Sequence, residues 1–168
     1  MKKIMYLLVA WLMVALLGCG AATTTKESPA PAQKQQEQVK LKTAEEISTA
    51  LKAKGLPIGT VIVYTAETDT NKLLGRPNQY VSKVKFTDTS LKQSDANSLE
   101  DGAGSVEFFT NAGDVKARKD YIDNIGKKMG PLFIEYSYIN GDALLRINKV
   151  FTPDQAAQYE KVFKELKI

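Results

Sequence analysis

The chain has 168 residues, a formal net charge of +4, a single cysteine and no histidine. Those counts exclude Ser-His-Asp and Cys-His catalysis within the chain, a zinc site held by His or Cys, and an internal disulfide. The basic excess is confined to the first 42 residues, because Thr43 to Ile168 holds 17 basic and 17 acidic side chains. A nucleic-acid surface needs a basic patch on the folded part, so nucleic acid is not an expected partner.

Lys2-Lys3, an apolar run from Ile4 to Leu17 and the small residue Gly18 are laid out as a secretory signal. The apolar run falls short of the roughly twenty residues that a permanent membrane span needs. Leu16 stands three residues before Cys19, Gly18 stands one before it, and a polar stretch follows. The segment Met1 to Cys19 resembles the type II signal peptide of bacterial lipoproteins. That resemblance implies cleavage between Gly18 and Cys19 and a diacylglyceryl group on the Cys19 thiol. The membrane is then a partner through the lipid, and the domain faces outside the cytoplasm. Two or more acyl chains anchor stably where one holds weakly. Residues 20–42 are rich in Thr, Ala, Pro, Lys and Gln and too polar to repay ordering, so residues 19–42 are expected to be a lipidated cysteine and a disordered tether.

Residues 43–168 are expected to form one domain. Thr43 and Glu46 spell a capping box, and Ile47, Ala50 and Leu51 follow at helical spacing. Gly55 and Pro57 end that helix. Thr60 to Thr65 is β-branched and reads as a strand. After a loop with Gly75 and Pro77, Gln79 to Thr87 alternates, with Tyr80, Val84 and Phe86 on one face and Lys83 and Lys85 on the other. A polar loop leads to a third strand from Ser105 to Thr110, with Val106 and Phe108 inward and Glu107 outward. Thr110 or Asn111 caps a helix to about Met129 with Val115, Ile122, Ile125 and Met129 as its buried stripe. Asn140-Gly141 between two apolar strands reads as a two-residue hairpin turn, which places Ile139 opposite Asp142 and Glu135 opposite Arg146. Leu132, Ile134, Tyr136 and Tyr138 then share a face with Ala143, Leu145 and Ile147. Thr152, Pro153 and Gln155 open the last helix, whose stripe is Tyr159, Val162, Phe163 and Leu166.

The order α-β-β-β-α-β-β-α predicts an α+β fold. The expected architecture is an antiparallel sheet of about five strands with helices on one face. Lys83, Lys85, Glu107, Glu135 and Arg146 are then expected on a solvent-facing side.

Catalytic, cofactor and metal sites are not predicted. Asp95, Glu100 and Asp101 cluster in one loop, but their spacing does not match the alternate oxygen ligands of a calcium loop. They read as a solvated loop, with a metal site or acid pair as the alternative. The charges of the second helix, including Lys116, Arg118, Lys119, Lys127 and Lys128, read as a solvated face. The loop Leu73-Leu74-Gly75-Arg76-Pro77-Asn78-Gln79-Tyr80 is the most unusual segment. Arg76, Asn78, Gln79 and Tyr80 are candidate binding residues, with Arg76 for an anionic or carboxylate group and Tyr80 as an aromatic wall. The competing reading is that Leu73 and Leu74 plug the core and Arg76 pairs with an acid.

That loop, Ser105-Val106-Glu107-Phe108-Phe109, the Gly141-to-Arg146 hairpin arm and Thr152-to-Glu160 together resemble a group of small exported bacterial proteins and lipoproteins of uncharacterised function. The resemblance implies one exported domain and brings no active site with it. The function expected from the sequence is a lipid-anchored binding module of the bacterial envelope, taking a protein or a small ligand. The alternatives are an envelope hydrolase using carboxylates, or an inhibitor or phage-exclusion lipoprotein.

Overall fold

The computed structural model describes residues 40–92, 102–130 and 135–168. Their order is α1 (Ala44–Ala53), β1 (Ile58–Val63), β2 (Ser82–Asp88), β3 (Gly104–Phe108), α2 (Ala112–Met129), β4 (Glu135–Asn140), β5 (Ala143–Asn148) and α3 (Pro153–Lys164). The five strands form one antiparallel sheet in the order β1-β2-β3-β5-β4, so the α+β class and the element order follow the sequence. The predicted leader with Gly18 and Cys19, most of the tether, the acids Asp95, Glu100 and Asp101, and Leu132 and Ile134 lie outside the described residues.

Side chains set the helix ends as expected. Thr43 and Glu46 exchange bonds across the first turn of α1, and Thr152 and Gln155 do the same for α3, which has Pro153 at its start. Asn111 caps α2 by accepting from the Asp114 amide. These caps satisfy backbone donors that the first helical turn leaves without partners. Strand β1 starts earlier than its β-branched run, with Ile58 already paired to Asp88, and its register shifts between Ile58 and Val61. The Thr60 amide donates to the Thr87 hydroxyl at 2.9 Å in place of a ladder carbonyl.

The hairpin holds a different register from the expected one. Asn140 pairs with Ala143, leaving Gly141 and Asp142 as the turn, and Gly141 takes the left-handed φ of +53°. Asn140 is retained in the ladder because its side-chain amide donates to the Phe163 and Leu166 carbonyls at 2.7 and 3.0 Å. Glu135 therefore faces Asn148, and Ser137 faces Arg146. The change moves each pairing by two residues, so every side chain keeps its face. Glu135 still grips Arg146 diagonally, at 2.6 and 3.0 Å.

Helices cover both faces of the sheet, not one. Val84, Phe86, Val106, Leu145 and Ile147 pack with Ile47 and Leu51 of α1 and with Ala156, Tyr159 and Phe163 of α3. Tyr159 stacks on Phe86 and donates its hydroxyl to the buried Asp88. The other face, expected to be wet, is covered by α2 and by the 64–81 connection. Lys83 and Glu107 are 1% and 0% exposed there. The reason is charge pairing: α2 inserts Arg118, in line with Val115, Ile122 and Gly126, against Glu107. The predicted stripe is correct for Val115 and Ile122 but not for Met129, which is 59% exposed. Tyr80 also lies apart from Val84 and Phe86. It precedes β2 and meets Phe109 edge-on, with ring centroids 6.1 Å apart.

Gly104 is where the sheet leaves no room for a side chain. A Cβ there would stand 2.6 Å from the Phe86 ring and 2.7 Å from the Arg146 carbonyl. Gly104→Ala is expected to destabilise the domain by about 1–3 kcal/mol, read as a lower urea midpoint with an unchanged slope.

Candidate functional site

The connection between β1 and β2 is organised by one carboxylate. Asp69 follows a turn in which its own amide donates to the Thr65 carbonyl at 2.9 Å. Its side chain is fully buried. Oδ2 accepts the amides of Leu73 and Leu74 at 2.9 and 3.0 Å and the Tyr80 hydroxyl at 2.7 Å. Oδ1 lies 3.2 Å from the Lys83 ammonium. The loop thus closes around a charge that its own backbone solvates.

The outer surface of the loop is fixed from this base. Gly75 donates to the Tyr80 carbonyl, Arg76 to Leu73 and Gln79 to Arg76, at 2.9, 3.0 and 3.1 Å. Lys72 and Asn78 hold left-handed backbone at φ +56° and +61°. Such conformations are uncommon away from glycine, persist where surrounding contacts impose them, and cluster at functional sites. Arg76 and Asn78 are exposed, Gln79 is half-buried, and Leu73 and Leu74 pack against the cluster of Tyr80, Phe109, Val115, Ile122 and Leu144. Arg76 forms no ion pair among the described residues, whereas every buried side-chain N or O described has a hydrogen-bond partner.

Of the four candidate residues, the structure therefore leaves three near the surface. Tyr80 is no aromatic wall for a ligand; it is a buried strut between the loop and the sheet. The leucines do plug the core, and among the described residues Arg76 pairs with no acid.

Beside the strut lies a chain of charges. Glu107 receives Arg118 through two bonds, at 2.9 and 3.0 Å, and Arg146 through a third at 3.0 Å. Arg146 continues to Glu135. The Lys83 ammonium lies 4.5 Å from the Tyr64 ring centroid, and the Arg118 guanidinium 5.6 Å from that of Tyr80. Lys119 and Ser137 both bond Asp123, tying the far flank of α2 to β4.

These contacts set the proton affinities. Burial opposes ionisation of Asp69, but the Tyr80 hydroxyl, the Leu73 and Leu74 amides and Lys83 outweigh it and hold the carboxyl well below its usual range. Burial likewise opposes ionisation of Glu107, and Arg118 and Arg146 overcome it. Burial and the Asp69 carboxylate push the Tyr80 phenol far up. Both acids are charged at neutral pH with their oxygens occupied, so neither is placed to act as a general acid or base. Among the described residues no group of three or more acidic, His or Cys side chains is placed to hold a metal ion.

Asp69 was not a sequence candidate, because one aspartate among threonines in a loop looks solvated. Arg118 carried a readable signal: it sits three residues after Val115 and four before Ile122, within the apolar stripe. Comparison with protein-family models, with curated proteins and with solved structures finds no match.

The acid dependence of stability follows from the direction of the shifts. Asp69 and Glu107 are held below the unfolded-chain values of about 3.9 and 4.3. Their contribution is complete above about pH 5 and is lost as pH falls further. Asp69→Asn leaves Lys83 uncompensated and is expected to cost about 3–5 kcal/mol at pH 7. Its urea-derived stability should also fall less steeply than that of the parent between pH 5 and pH 3. A variant with the parent's stability and acid slope would show that Asp69 does not organise the loop.

Proposed function

We propose that the chain is a lipid-anchored, extracytoplasmic binding module, and that the Arg76–Gln79 tip is its contact with an anionic or carboxylate-bearing partner. The observation that carries this reading is an exposed arginine without an acid partner among the described residues, on a loop whose backbone is held in two left-handed non-glycine positions. A surface loop with no task would gain from glycine at Lys72 and Asn78 and would have no need of a buried carboxylate beneath it. A fixed loop loses little entropy on binding, and a guanidinium recognises a carboxylate through two parallel bonds. Asn78 and Gln79 supply amide donors and acceptors beside it. The anchor in this proposal is the Cys19 lipid, supported by the layout of the first nineteen residues. No described helix is long and apolar enough to cross a membrane.

Two variants test the proposal. Crosslinking and pull-down from intact cells identify the captured partner. Arg76→Ala should then weaken capture roughly 10- to 100-fold, the worth of a charge-assisted hydrogen bond, without moving the thermal midpoint. Undiminished capture by Arg76→Ala removes the loop from the site. Cys19→Ser should release the protein from the membrane fraction, and retention with continued acylation would refute the anchor.

A further inference from the structure

We infer that α2 is a separately opening cover, and that its seating governs the Arg76 loop. The inference deepens the binding reading above and rests on it for its functional meaning.

The two covers of the sheet are held by different forces. Among the described residues, eighteen buried apolar side chains close the face that carries α1 and α3. The face under α2 has five such side chains among the described residues, of which α2 itself contributes Val115 and Ile122. Leu73, Leu74 and Ile139 add partly buried apolar surface to it, and the other described contacts of α2 with the sheet are polar: Arg118 on Glu107, and the Lys119–Asp123–Ser137 group on β4. Water offers partners to all of those groups once the helix lifts, so little free energy opposes opening compared with the apolar face. Elements with few buried apolar contacts are those that open locally while the rest stays folded. The ends of α2 fit such a motion, with the Asn111 cap at one and Gly130 at φ +90° at the other.

The loop shares this seat. Tyr80, Leu73 and Leu74 pack in the same cluster as Val115 and Ile122. The Arg118 guanidinium, bonded to Glu107 below, lies against the Tyr80 ring. When α2 lifts, the loop keeps its bonds to Asp69 but loses the apolar wall behind Tyr80. The tip that presents Arg76 is then no longer held in one conformation. By reciprocity, a ligand that fixes the tip holds α2 closed by the same free energy.

Hydrogen exchange of the full chain tests this without any ligand. Amides of α2 and of residues 72–80 should exchange through one shared opening, ahead of β2, β3 and β5. Ser137→Ala cuts a tie between α2 and β4 and touches neither Tyr80 nor Arg76. It should speed exchange in α2 and in residues 72–80 together, by about fivefold, while α1 and α3 keep the parent's protection. A loop that stays protected while α2 loosens overturns the coupling. Exchange of α2 only with global unfolding in the unmodified chain overturns the separate cover, whatever the variant does. Both outcomes are independent of whether Arg76→Ala weakens capture, so this inference and the binding reading fail separately.

Discussion

Glu107 carries a full negative charge with no exposed surface, on the middle strand of a five-stranded sheet. An unpaired carboxylate there would be prohibitively expensive. The pairing that makes it tolerable shapes half of the fold. Arg118 must come from a helix lying across the sheet, and Arg146 must come from the neighbouring strand. Glu135 then balances Arg146 from β4, and Asp69 balances Lys83 from the β1–β2 connection. Each charge brings in another element, and α2, the hairpin and the loop take their places as a consequence.

The domain is therefore built from two unlike layers. One is an ordinary apolar core, where burial of aliphatic and aromatic side chains supplies the stability. The other is an ionic layer, where the cost of removing charges from water is offset by their mutual attraction and hydrogen bonds. Such layers add less to stability than apolar ones of the same size, but they are strict about geometry. A left-handed Asn78 and an outward Arg76 need a rigid base, and Asp69 and Tyr80 supply it from that layer.

Much of this was legible in the sequence. Thr43, Glu46, Thr152, Pro153 and Gln155 act within one helical turn, so their caps need no knowledge of the rest of the chain. The hairpin was visible too, but its register depended on Asn140 reaching α3, a contact 23 and 26 residues away. The second face differs from its expectation because alternation of charged and apolar residues has two outcomes. Lys83 and Glu107 look the same whether water or an opposite charge meets them. Only Arg118, in register with Val115 and Ile122, hinted at the second outcome. Parity places Tyr80 on the face of Val84 and Phe86, but it lies before the strand begins, where parity does not apply. The exposure of Arg76 was an open choice, since spacing does not tell which acids a distant fold brings near.

The Glu107–Arg118 pair, more than the apolar contacts around it, seats α2 on the sheet. A double-mutant cycle measures it most directly, using Glu107→Gln, Arg118→Met and the pair together, with urea unfolding at pH 7. A seating pair should give a coupling of about 2 kcal/mol, with the double variant much less damaged than the two single losses would sum to. Losses that add to within about 0.5 kcal/mol would contradict it and show that the two charges are merely neighbours.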